Sequence, residues 1–448
     1  MSTVFYGHPG ARGSALARLG SWRRPAHLGW TVGRPKGRLR AIRGQPRILR
    51  GAAVASGLRC RQTGAGTVYS SNMRQMFRHA AAELARRPPG NVACLDFLRS
   101  LAILLVLSCH VGALFPGASA VQHIAPVTAG WTGVDLFFVL SGFLIGRQLW
   151  KELSGGSIRV GRFLLRRGLR IWPLYFSFVL VVWAGVALAG RPAAAGWSDL
   201  LCVSNYFHHL LDGGWSLSTE EQFYVLAPVA LYVASRRLPA RSLVWIPAGC
   251  LLALPVVRWA MIGASTSNAA FQRIYQPLFT HADGLAVGVS LAWASVYRPA
   301  VLQRSKAGPN LLLLGSGVVV FLLFHRFGAH VLTFTAWAFL YGSLVWAMLR
   351  GLADRATGWT GFYVLSRLSY GIYLNHMYLL KFVVPPIESR LGGGMLAFGA
   401  GWTAGLALSL AVAFVTFALI ELPFLGMRER WLQGTGNSSR TVATRAAL

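Results

Sequence analysis

The sequence predicts an all-α protein, a polytopic membrane helix bundle of about ten transmembrane helices with both termini on the cytoplasmic side. Three observations predict it. The 448-residue chain is 54% hydrophobic and only 13% charged, where soluble proteins carry nearer 25% charged residues. Apolar runs near 20 residues, long enough to cross hydrocarbon as helices, recur along it. Basic residues crowd alternate loops, which sets orientation by the positive-inside rule.

Residues 1–90 form a basic extension. They hold seventeen of the 44 Lys and Arg and a single acid, Glu83. No Asp or Glu occurs before position 73, and no apolar periodicity persists there. The segment cannot bury enough surface to offset its chain entropy, so disorder is expected. It lacks the apolar core of a secretory signal. Met73 opens a more ordinary stretch, MRQMFRHAAAELARRPPG, and is a candidate for the true start. That stretch reads as a short basic amphipathic segment suited to a membrane surface. About half the +31 net charge sits in this extension and the rest in short loops. The charge therefore signals topology and not nucleic acid.

A membrane domain is expected over 91–425, with a short cytoplasmic tail at 426–448. Ten spans are predicted at roughly 94–114, 129–149, 172–190, 223–236, 243–262, 278–295, 310–326, 330–349, 366–384 and 397–420. The loops at 150–171 (Lys151, Arg159, Arg162, Arg166, Arg167, Arg170), 236–242, 297–309 (Arg298, Arg304, Lys306) and after 349 are basic. So is the tail, with Arg428, Arg430, Arg440 and Arg445. The loops at 115–128, 191–222 and 263–277 carry two arginines between them. The five cysteines show no metal-type spacing, and no metal or tightly bound cofactor is expected.

Polar residues inside apolar runs are costly and mark candidate sites. The first span, LDFLRSLAILLVLSCH, holds Asp96, Arg99 and His110. Arg99 and His110, eleven residues apart, return to within about 20° of one helix face. Asp96 and Arg99, three apart, are placed to pair. The second span, GWTGVDLFFVLSGFLIG, brings Asp135 near its outer end and Ser141 mid-span. Ser141 serves either close packing or chemistry. In RFLLRRGLRIWPLYF, Arg167 and Arg170 share a face, as membrane anchors or as a phosphate clamp. In WSLSTEEQFYVLAP, Glu220 shares a face with Tyr224, and Glu221 is expected to point elsewhere. Those acids either cap a helix start or face the cavity of His110. Asp283, Tyr370, Tyr373, Asn375, His376 and Glu421 are later intrusions. His376 is read equally as a structural hydrogen-bonder or a site residue.

These blocks, in this order, resemble the membrane-bound acyltransferase-3 family of O-antigen and peptidoglycan acetylases, over about 94–424. The Arg99–His110 spacing, the GVDLFFVLSGFLIG block, the Arg-x-x-Arg at 167–170, the Trp215-Ser216-Leu217 block with Glu220 and Tyr224, and Tyr373-Leu374 before His376 carry the resemblance. Asn375 stands where an aromatic is common, and no esterase domain follows. The resemblance implies O-acyl transfer across a bacterial cytoplasmic membrane. The donor would be cytoplasmic acyl-CoA, most often acetyl-CoA, as co-substrate. The acceptor would be a hydroxyl of an extracytoplasmic or lipid-linked glycan. It implies His110 as general base, or as the carrier of an acyl-His intermediate, with Arg99, Asp96 and Glu220 around it. Arg167 and Arg170 would bind the donor, and Asp135, Ser141, Trp215, Ser216, Tyr224 and His376 would support. The alternative from composition alone is a transporter or flippase, against which the chain shows no two-fold repeat of spans.

Overall fold

The computed structural model describes residues 65–431 apart from 89, 116–118, 193, 195, 304–306 and 328–329. The expected disorder before residue 65, the loop residues Arg304 and Lys306, and the tail residues Arg440 and Arg445 lie outside the described residues. Among the described residues the chain is helical throughout, with no strand.

Eleven long helices are described: α1 Ala65–Ala85, α2 Ala93–Ala113, α3 Gly133–Ser154, α4 Val160–Leu188, α5 Gly214–Ser235, α6 Trp245–Ile262, α7 Asp283–Tyr297, α8 Ala307–Phe327, α9 Thr333–Leu349, α10 Thr360–Leu391 and α11 Met395–Thr416. A π-helical turn, Phe417–Glu421, follows α11. Each of the ten expected spans falls on one of α2 to α11. Among the described residues, five helical stretches are long and apolar enough to cross a membrane: Ala93–Ala113, Gly130–Ser154, Val160–Leu188, Ala240–Ile262 and Met395–Trp431. The other five expected spans lie on α5, α7, α8, α9 and α10. α7, at 15 residues, reaches only ~22 Å. α10 is long but carries Arg367, Asn375, His376 and Lys381.

The reading that leaves residues 1–90 outside the fold needs one correction. Phe77, Ala80 and Leu84 recur at helical spacing on α1, and Ala80 and Leu84 are buried in the same apolar cluster as Phe417. Phe77 meets Phe414 with ring centroids 5.9 Å apart. Arg74 and Arg78, on the other face, stay exposed. An apolar stripe of three residues was enough to dock this helix on the bundle.

α3 packs most extensively on α7, and α10 on α11 and α2. The α3–α7 contact is a glycine seam. A methyl group on Gly142 would run into the Leu285 carbonyl, and one on Gly288 into the Val139 carbonyl. Gly142 thus has the packing role that small residues in membrane helices commonly have. With no water on the lipid side, such van der Waals packing is the main cohesive force.

The seam is pinned by two buried polar pairs. Arg258 on α6 grips Asp283 at the start of α7, with Nη1 donating to Oδ2 at 2.7 Å and Nη2 to Oδ1 at 3.1 Å. The same guanidinium donates to the Val331 and Thr280 carbonyls and to the Thr335 hydroxyl. Both charges are fully buried. Asp135, expected to want a partner, finds His281 at 2.9 Å.

Two outcomes follow. Gly142→Ala should destabilise the detergent-purified protein by ~1–3 kcal/mol, read as a lowered thermal midpoint. Arg258→Met should cost ~3–5 kcal/mol by leaving Asp283 buried and uncompensated, and adding Asp283→Leu should recover most of it.

Candidate functional site

A cleft of about 110 Å³ opens between α2, α3, α4, α5 and α10 and is closed by the π-turn after α11. Its polar lining includes Arg99 from α2, Ser141 from α3, Arg167 and Arg170 from α4, and Ser216, Glu220, Glu221 and Tyr224 from α5. Arg367, Tyr370 and Tyr373 come from α10, and Glu421 from the π-turn.

The acids are held by hydroxyl and indole groups. Ser141 donates to Glu220 Oε1 at 2.6 Å, and the Tyr224 hydroxyl to Oε2 at 3.0 Å. Ser141 therefore does more than permit packing. Trp172 Nε1 donates to Glu221 Oε2 at 2.9 Å. The Ser216 and Tyr373 hydroxyls lie 2.5 Å apart at the cleft wall. Glu421 Oε1 is buried with no partner. π-turns of this kind are rare and often sit at functional sites, because the extra residue re-aims the side chains that follow.

The cations are treated differently. Among the described residues, Arg99, Arg167, Arg170 and Arg367 form no ion pair with a carboxylate. Arg167 lies over the Phe163 and Tyr224 rings, at 5.9 and 5.8 Å, and Arg367 over Phe417 at 5.5 Å. Aromatic faces offset part of the cost of holding a guanidinium here while leaving its N–H fork available to a ligand.

His110 does not line the cleft. It pairs with His376, whose Nε2 lies 3.2 Å from His110 Nδ1. His376 Nδ1 faces the Ile372 and Tyr373 carbonyls at 3.1 and 2.7 Å, and a carbonyl only accepts. Nδ1 of His376 therefore carries the proton, and in a neutral pair its Nε2 accepts from His110 Nδ1–H. This network assigns Nε2 as the basic nitrogen of His110. Tyr373 links the two regions: its hydroxyl lines the cleft and its ring lies 5.6 Å from that of His376.

Several sequence expectations change. Asp96 does not pair with Arg99; its carboxylate accepts from Asn91 at 2.6 Å and from Ser366 on α10 at 2.9 Å. A nearby amide and hydroxyl outcompete the i,i+3 guanidinium, which turns into the cleft. Glu221 joins Glu220 at the cleft, because the cavity wraps the start of α5 and residues ~100° apart on that helix both reach it. Glu220 takes its hydrogen bonds from Ser141 and Tyr224 and not from His110. Asp135 lies outside the cleft, bonded to His281. Trp215 also lies outside it and stacks on His281 at 5.8 Å. Arg367, Glu421 and Tyr373 were not assigned to the site from sequence. Arg367 and Tyr370 share a face of α10 with Ser366 and Tyr373, and that i,i+3 polar stripe was the available signal.

A bundle with such a cleft is a membrane-embedded acyltransferase by family. An acyltransferase domain model matches residues 92–418, and the chain belongs to that family. It is 27% identical over 378 residues to the peptidoglycan O-acetyltransferase OatA of Listeria monocytogenes, covering 74% of this chain and 55% of that protein. It is 26% identical over 348 residues to the acyltransferase MdmB of Streptomyces mycarofaciens, covering 72% and 86%. A putative O-acetyltransferase of Staphylococcus aureus, SACOL0978, is 24% identical over 365 residues, covering 74% and 56%. The chain thus spans just over half the length of the first and third of these relatives. No solved structure matches it.

If the hydroxyl contacts set the Glu220 carboxylate for the reaction, Ser141→Ala should lower acyl transfer about tenfold at unchanged protein level in membranes, as expected for losing one hydrogen bond to a charged group. Full activity would return Ser141 to packing alone.

Proposed function

We propose that the chain is a multi-pass O-acyltransferase of a bacterial cytoplasmic membrane, with about ten spans and both termini inside. It moves an acyl group, acetyl in the first instance, from cytoplasmic acyl-CoA to a hydroxyl of an extracytoplasmic or lipid-linked glycan. The observation that carries this reading is a cleft with four guanidinium groups lacking carboxylate partners, joined through Tyr373 to a polarised histidine pair. Guanidinium forks match phosphate oxygens, and acyl-CoA is a phosphate-bearing thioester. The names of the relatives support O-acetyl transfer, and one names peptidoglycan as acceptor. Family membership sets the transporter alternative aside.

In the chemical step, His110 Nε2 takes the proton of the acceptor hydroxyl as its oxygen attacks the thioester carbonyl. The C–O bond forms and the C–S bond breaks. The thiolate leaves and recovers the proton from the His110 imidazolium, giving an ester and free CoA. His376 holds His110 in the competent tautomer throughout, much as a carboxylate does in a hydrolase triad. Arg99 and Arg367 line the cleft together with Glu220 and Glu421.

The test is transfer of label from acyl-CoA to envelope glycan in membranes. His110→Ala should lower the rate at least 100-fold with insertion intact, the scale of a lost general base. A full rate in that variant would overturn the mechanism. Arg170→Ala should raise the KM for acyl-CoA while leaving kcat close to wild type. An unchanged KM would make Arg170 a membrane anchor.

A further inference from the structure

Arg167 and Arg170 lie in the first half of α4, and the loop to α5 follows its far end. Asp212 of that loop forms an ion pair with Lys381 of α10. The two side chains are 39% and 46% exposed. Lys381 stands five residues beyond His376, ~7.5 Å further along α10. The pair acts electrostatically on the histidines, Lys381 on His110 and Asp212 on His376.

The loop that presents Asp212 is held without this ion pair. The Tyr378 hydroxyl accepts from the Asp212 amide at 3.2 Å and donates to the Leu210 carbonyl at 3.0 Å. The Asp199 carboxylate accepts from the Leu210 and Leu211 amides at 2.7 and 3.4 Å. The Tyr373 hydroxyl donates to the Gly213 carbonyl at 3.3 Å, where a φ of 76° turns the chain into α5. Exposed ion pairs add little stability, so Asp212 and Lys381 are not what fixes the loop. Gly213 and Tyr373 tie the same loop to His376, whose proton points at the Tyr373 carbonyl.

A carboxylate only accepts hydrogen bonds and an ammonium only donates them, whereas a hydroxyl does both. Of two neighbouring hydroxyls on a sugar ring, one can donate to Asp212 while the oxygen of the other accepts from Lys381. Both bonds are charge-assisted. An anionic group is repelled by Asp212 and a cationic one by Lys381, but hydroxyls meet neither repulsion. The Tyr378 ring, 5.7 Å from the Lys381 ammonium, steadies that donor from one side.

We propose that Asp212 and Lys381 form an acceptor clamp that holds two neighbouring hydroxyls of one sugar ring beside the histidine pair, and so selects which hydroxyl reaches His110. The proposal rests on the O-acyl transfer reading given above and deepens it by naming side chains for the acceptor.

The measurement is transfer of labelled acetyl groups from acetyl-CoA by the full-length protein in phosphatidylcholine nanodiscs. The acceptor probe is a muramidase digest of peptidoglycan, and each substrate is varied in turn. Asp212→Asn and Lys381→Met should each raise the KM for the digest about tenfold, the scale of one lost hydrogen bond to a charged group, with the KM for acetyl-CoA unchanged. Combining Asp212→Lys with Lys381→Asp keeps an ion pair but exchanges donor and acceptor, so the raised KM should persist there. Recovery of the wild-type KM in that exchange would make the two residues a structural clasp and overturn the proposal. An unchanged KM for the digest in both single variants, with transfer intact, would overturn it too. Absence of transfer to the digest by the wild-type protein would overturn the glycan-acceptor reading itself, and this proposal with it.

Discussion

A charge inside an apolar bundle must find a partner or a reason to lack one. That constraint sorts the polar residues of this chain into two groups. Arg258 has Asp283 and three further acceptors, the Val331 and Thr280 carbonyls and the Thr335 hydroxyl. Asp135 has His281, and Asp96 has Asn91 and Ser366. Each of these charges has a partner within the protein, Asp135 through Oδ1 alone. The guanidiniums of Arg99, Arg167, Arg170 and Arg367 have no carboxylate, and Glu421 Oε1 has no donor. The unsatisfied group converges on one cleft, while the satisfied group is dispersed through the packing contacts around it.

The satisfied pairs hold that cleft in shape. The Arg258–Asp283 pair fixes the start of α7, and the glycine seam then holds α3 against it. α3 in turn presents Ser141 to Glu220 across the cleft. One residue before the seam glycine Gly142 therefore sits the hydroxyl that sets the carboxylate. A shift of α3 by a methyl group would move the Ser141 contact as well as the packing.

Much of this was legible in the sequence. Helix positions were readable because long apolar runs favour helices in lipid. Arg99 and Ser141 were readable as polar exceptions in such runs, and Arg167, Arg170, Glu220 and Tyr224 from shared faces at the run ends. The histidine pair was readable in its members but not in its pairing, because His110 and His376 lie 266 positions apart. Arg258 and His281 were invisible as a different kind of case. Arg258 sits near the outer end of the 243–262 run, and nothing in the spacing points to Asp283, 25 positions on. Glu421 was visible as a charge, but its aim depends on a π-turn that inserts one residue per turn, and no periodicity of side chains announces that insertion. The apolar face of α1 was legible as amphipathic, but the pattern alone does not tell a membrane surface from the bundle on which it docks.

Arg99 and His110 share α2 and are eleven residues apart, so ~16 Å of helix separates the two residues. Cations and acids surround the cleft, and Tyr373 reaches from its wall to the histidine pair. The Tyr373 hydroxyl bonds Ser216 and its backbone carbonyl receives the His376 proton. One residue of α10 therefore ties the position of the cleft wall to the tautomer of His376, and through it to that of His110.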